Sequence, residues 1–164
     1  MVTFENVPSK FENALSTFKP HLESIVSQEI GNVNINFVFL DATTMTELNE
    51  EYRKKEGPTD VLTFVYGGSN EDFEEVSDEI SELSEEYTSE PYAEGYLCID
   101  VIEDNAKDFK NSVEKELLTV LVHSILHMAG YDHEYKDDNA EEMFKKQDNY
   151  VGSIWPLVKS NSNT

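Results

Sequence analysis

The 164-residue chain predicts an α+β domain: a small mixed sheet, mainly four-stranded, packed with five or six helices, with a candidate metal site on a buried central helix and its following turn. Two observations carry this. Short apolar runs of period two alternate with longer stretches whose apolar residues recur every three or four positions, without an internal repeat. Residues 114–134, EKELLTVLVHSILHMAGYDHE, are so apolar from Leu117 to Leu126 that a helix through them is buried on most sides.

Taken in order, residues 2–4 make a short edge strand. Pro8 and Ser9 open a helical stretch in which Phe11, Ala14, Leu15, Phe18, Leu22, Ile25, Val26 and Ile30 share a face. Pro20 predicts a kink or two abutting helices there, and Gly31 a stop. Residues 33–40, VNINFVFL, put Val33, Ile35, Phe37 and Phe39 on one face; Val38 and Leu40 make the end apolar on both, as in a strand covered on both sides. Thr44 and Glu47 read as a capping box for a helix whose inner side is Met45, Leu48 and Tyr52 and which stops before Gly57 and Pro58.

Residues 61–66, VLTFVY, form a second core strand closed by Gly67 and Gly68, and residues 95–99 a third. Between them, residues 71–94 hold eleven acidic side chains and no Lys or Arg. This block reads as a solvated loop or surface helix, with Ile80 and Leu83 as anchors. Val101, Ala106 and Phe109 give a short helix leading into the histidine helix. A last helix carries Ala140, Met143, Phe144, Gln147, Val151 and Ile154 as its core stripe, with Asp137 or Asp138 as cap and Pro156 after it. One domain over 1–155 follows, with 156–164 a frayed tail.

Three of the four histidines lie between positions 123 and 133. His123 and His127, four apart, project from one helical face, and Gly130 permits the positive φ that ends a helix and turns His133 back toward them. A lone histidine in a buried helix is ordinarily a hydrogen-bonded core residue, but three clustered in this way point to a metal; His21, the fourth, lies in an amphipathic segment and reads as surface or core edge. Neutral imidazoles suit zinc, nickel and iron, and three ligands leave a position open for water or substrate. Cys98, the single cysteine, has no second thiol to close a structural zinc site and no disulfide partner.

The histidine spacing is similar to that of the metzincin peptidases, with Gly130 at their glycine position. Ser124 stands where those enzymes carry the glutamate that serves as general base, so peptidase chemistry of that type loses its base. The formal net charge of −22 argues against broad attraction to nucleic acid or anionic membranes, so a polyanion needs a local positive patch, part of which a divalent metal can supply. The first residues, MVTFENVPSKFENALSTF, lack the basic start and apolar core of a signal peptide, and no run approaches a membrane span, so a soluble cytoplasmic protein is expected.

Arg53 is the chain's one arginine, within LNEEYRKKEGPTDVLTF. Beside Lys54 and Lys55, and ahead of a Gly-Pro turn, its planar donors suit an anion clamp; its plain alternative is a helix-end pair with Glu50 or Glu56. Asp60 is placed to cap the turn at Pro58 and Thr59.

Together these segments resemble the YbeY family of single-strand-specific endoribonucleases, the 16S rRNA maturation factors. HSILHMAGYDHE carries the resemblance most strongly, with Ser124 where the family has glycine. Asn49, Arg53 and the run 58–62, PTDVL, match the second signature, and residues 94–99 the third, with Ala93 and Gly95 departing from it. The match runs over about residues 30–150 in the same order.

The resemblance implies one divalent metal, zinc or else nickel, held by His123, His127 and His133 at the base of a cleft lined by Arg53. It further implies trimming of the 3' end of 16S rRNA and quality control of ribosomes, with single-stranded RNA, 16S rRNA and the ribosome or its small subunit as partners. Arg53, Lys54, Lys55 and Ser124 are expected substrate contacts; Arg53 is a catalytic candidate, with Glu94, Asp132 or a metal-bound hydroxide as base. The alternatives are a metal-dependent hydrolase of peptides or small molecules, and a ribosome-assembly protein with a structural metal.

Overall fold

A computed structural model of the chain describes residues 1–54, 56–66, 91–131 and 138–162, with the side chains of 53, 138–140 and 160–162 outside that set. The expectations for Gly67, Gly68, the acidic block up to position 90, Lys55, Asp132, His133 and Asp137 lie outside the described residues. Four strands form one sheet in the order β1-β2-β4-β3: β1 (Val2–Glu5) and β2 (Ile35–Leu40) are parallel, β2 and β4 (Ala93–Cys98) are parallel, and β3 (Val61–Val65) runs antiparallel to β4. Among the described residues five α-helices surround it: α1 (Glu12–Glu29), α2 (Ala42–Leu48), α3 (Ile99–Asp108), α4 (Val113–Met128) and α5 (Asp138–Ser162). This is the mixed α+β fold that the patterning predicts.

Strand alternation divides the core in two. Ile35, Phe37, Phe39, Val61, Ala93 and Leu97 face the main core beneath α1, α4 and α5, where Phe18, Leu22, Leu117, Leu121 and Ile125 are fully buried. The opposite face carries Met45, Leu62 and Cys98, with Leu40, Phe64 and Tyr96 packed around them under α2. Burial pushes the Cys98 thiol up, so it behaves as a core residue.

Several local expectations change. Asp41 caps α2, its carboxylate accepting from the Thr44 amide at 2.7 Å, so the capping box on Thr44 gives way to an earlier start. Tyr52 and Phe109 are exposed, and α3 buries Ile99, Ile102 and Ala106. The third core strand begins at Ala93, and Ile99 already belongs to α3.

α1 runs unbroken through Pro20, and α5 continues through Pro156 to Ser162 with Val158 buried, so part of the expected tail is helix. Both prolines lie on exposed faces, as do Ser16 and Gly152 four residues earlier, so water can satisfy the carbonyls that lose their helical partners. Phe144 is exposed, whereas Met143, Val151 and Ile154 are buried as expected.

Candidate metal centre

Helix α4 is defined at both ends. Ser112 accepts from the Lys115 amide at 3.2 Å, and Glu114 and Glu116 in the first turn complement the helix dipole. At the other end Gly130 takes φ of 107°, while its amide donates to the His127 carbonyl at 3.0 Å and that of Tyr131 to Leu126 at 3.1 Å. These are the two bonds of a Schellman stop, and Gly130 supplies the left-handed residue it requires, as the sequence predicts. Nearly every other position of α4 is buried; its half-buried stripe is Lys115, Thr119, His123 and His127 at intervals of four.

The reverse side of that stripe presses on the sheet. Ser124 is fully buried and shares a 2.9 Å hydrogen bond with Thr63 of β3. A methyl group at Gly95 of β4 would lie 2.7 and 2.8 Å from ring atoms of Phe37 and 2.9 Å from Ser124 Oγ, so helix and sheet meet where a side chain is missing. Ser124 is therefore an anchor for the histidine helix, and the expected substrate contact is corrected: its hydroxyl is turned into the sheet.

The rings of His123 and His127 stand 4.7 Å apart between centroids at an interplanar angle of 76°. Nδ1 of His123 donates to Gln147 Oε1 of α5 at 2.6 Å, which leaves Nε2 as the lone-pair nitrogen of the neutral ring. Two imidazoles one turn apart, one with its tautomer held by an amide, fit a divalent cation that prefers nitrogen. Among the described residues no group of three potential ligands occurs; His133 and Asp132 are outside that set.

By its spacing Gln147 falls within the stripe of Met143, Val151 and Ile154. A polar residue between Met143 and Val151 on a buried face was the available signal. Gln147 also lines an open groove of about 640 Å³ between α4 and α5, with Lys115, Thr119, Phe144 and Trp155.

Arg53 closes a single π turn, Asn49–Arg53, that continues α2. Lys54 follows in the left-handed region at φ 58° and is exposed, its amide donating to the Asn49 carbonyl; the buried Asn49 amide donates to the Gly57 carbonyl at 2.8 Å. The loop from 49 to 57 is thus tied across its base, with Arg53 and Lys54 at its turn. Asp60 accepts from the Val61 amide at 2.8 Å and the Thr59 hydroxyl at 3.3 Å, holding the entry to β3 as expected.

Glu94 goes elsewhere. Its neighbour Gly95 faces α4, so strand alternation directs Glu94 to the opposite face of the sheet, where it accepts from Tyr66 at 2.8 Å, Tyr96 at 3.2 Å and Asn36 at 3.1 Å. Burial, and then Glu94, push the pKa of both tyrosines up, so each phenol holds its proton more tightly. Its candidacy as a base beside the histidines is therefore corrected: the sheet stands between them.

Comparison with known proteins places this architecture. The family model for endoribonuclease YbeY matches residues 3–154. The endoribonuclease YbeY of Thermotoga neapolitana is 43% identical over 146 residues, covering 89% of this chain and 84% of that protein. That of Thermosipho melanesiensis is 45% identical over 130 residues, covering 79% and 80%. A solution structure from Thermotoga maritima aligns over 100% of this chain and 96% of its own at 37% identity, with a TM-score of 0.67. The chain belongs to the endoribonuclease YbeY family.

Proposed function

We infer that this protein is a metal-dependent endoribonuclease of rRNA processing and ribosome quality control. The observation that carries the reading is the family match over residues 3–154, which includes the histidine helix and the arginine loop. Its finer points are single-strand specificity, maturation of the 16S rRNA 3' end, and work in the cytoplasm on the ribosome or its small subunit. No helix among the described residues is long and apolar enough to cross a membrane.

His123, His127 and His133 would hold one divalent ion, zinc by ligand type and nickel as second choice. The paired rings and the amide on His123 support this. Bound there, the ion supplies Lewis-acid polarisation of a phosphoryl oxygen or acidification of a water. The chain's own residues do the rest. Arg53 neutralises charge that grows on the phosphoryl oxygens as the transition state forms, and Lys54 and Lys55 draw the RNA backbone to the loop. Asp132, next to His133 in sequence, takes the role of proton acceptor now that Glu94 is on the other face. A single domain containing 1–155 holds all these parts.

The test is cleavage of a single-stranded RNA by wild type, Arg53→Ala and His123→Ala. Loss in both supports the reading, and unchanged rates in both end it. Product ends add the route of attack, since a 2',3'-cyclic phosphate means that the RNA's own hydroxyl was the nucleophile.

A further inference from the structure

We propose that Gln147 is a positioning residue for the metal centre: through its bond to His123 it sets which ring nitrogen carries the lone pair that binds an ion, and so sets metal affinity. The proposal rests on the metal reading of His123 and His127. Its own support is geometric. Gln147 comes from α5, 24 positions from His123, and its Oε1 lies 2.6 Å from Nδ1.

An amide oxygen only accepts, so Nδ1 carries a proton and, in the neutral ring, Nε2 holds the lone pair. Imidazole in water mixes both forms, and a ring with its proton on the wrong nitrogen must exchange it before it can bind metal. The acceptor removes that step and holds the ring plane at the same time. Gln147 is well placed for this because its neighbours on the same stripe, Met143 and Val151, are buried and fix α5 against the core. His123 also lies 6.1 Å, ring to ring, from Phe144, so α5 borders the imidazole with an amide and an aromatic ring.

The experiment compares full-length wild type with Gln147→Leu, which keeps bulk and removes the acceptor, and Gln147→Glu, which keeps an acceptor. Zinc affinity is read by competition with a chromogenic chelator. In the metal-free proteins, ¹⁵N NMR of labelled histidine reads the tautomer of His123. Expected are an Nδ1–H ring in wild type, a shift toward the mixed form in Gln147→Leu with zinc affinity reduced about 10- to 100-fold, and affinity retained in Gln147→Glu.

Zinc affinity within about twofold of wild type in Gln147→Leu, against that 10- to 100-fold expectation, overturns the proposal. An Nε2–H ring in the metal-free wild type does so too, and this needs no variant to fold. His123→Ala separates the two levels: if it leaves zinc binding intact, the metal reading fails; if it abolishes binding while Gln147→Leu does not, the role of Gln147 alone fails.

Discussion

Ser124 and Thr63 share a 2.9 Å hydrogen bond across the seam between the histidine helix and the sheet, one residue past His123. Because Ser124 is fully buried and Gly95 leaves room for its hydroxyl, this contact fixes both the depth and the rotation of α4 on the strands. The histidine stripe points outward because this side points in.

Gly95→Ala forces a methyl group into the Phe37 ring and Ser124, and a tightly packed core resists such overpacking at a cost of about 1–3 kcal/mol. Ser124→Ala removes one partner of a buried hydrogen bond and is expected to cost about 1–3 kcal/mol. Urea melts check both. Unchanged midpoints would mean that the seam is looser than this geometry.

Removal of the metal is expected to abolish cleavage of single-stranded RNA, and added zinc to restore it. His127→Ala should lower metal affinity by on the order of 100-fold or more, beyond what loss of a supporting residue causes. Elemental analysis of purified wild type and variant, alongside the cleavage rate, checks this. An active, metal-free wild type would contradict it.

Arg53→Ala should reduce kcat by roughly 10²–10³, the usual loss when one preorganised donor to a developing anion is removed. Arg53→Lys should recover part of that rate, because an ammonium keeps the charge but not the planar fork. Single-turnover cleavage distinguishes this from a change in RNA binding.

Glu94→Gln should leave the cleavage rate at its wild-type value while lowering stability by about 1–2 kcal/mol, since Tyr66, Tyr96 and Asn36 lose a charged acceptor. Cleavage assays and chemical melts on the same preparation decide it. A large fall in rate with stability intact would restore Glu94 to the chemistry.

Tyr150 joins α5 to Glu29 of α1, and burial together with that carboxylate pushes its phenol up to about 12 from the usual 10.0. The folded pKa is the higher one, so the contribution is complete below pH 10 and lost as pH rises toward 12. Thermal melts across this interval should show wild type losing more Tm than Tyr150→Phe. Parallel curves would remove Tyr150 from the alkaline transition.

Much of the candidate site was legible because its signals are local. The i, i+4 spacing of His123 and His127, the glycine that stops the helix at 130, and the alternation of Ile35, Phe37 and Phe39 each report on burial or backbone freedom within a few residues. Where local signals compete, the surroundings decide: Asp41 displaces Thr44 as cap, and Pro156, a terminator by its chemistry, lies on an exposed face that lets α5 continue.

By itself the sequence determined the α+β class, the histidine helix and the arginine loop, since periodicity and turn chemistry are properties of neighbouring residues. Tertiary structure alone decided that Ser124 is an anchor, that Glu94 lies across the sheet, and that Gln147 reaches His123 from 24 positions away. Those depend on which strand or helix is packed beside which, and on the one-residue alternation of a strand's two faces, which no short window of sequence records.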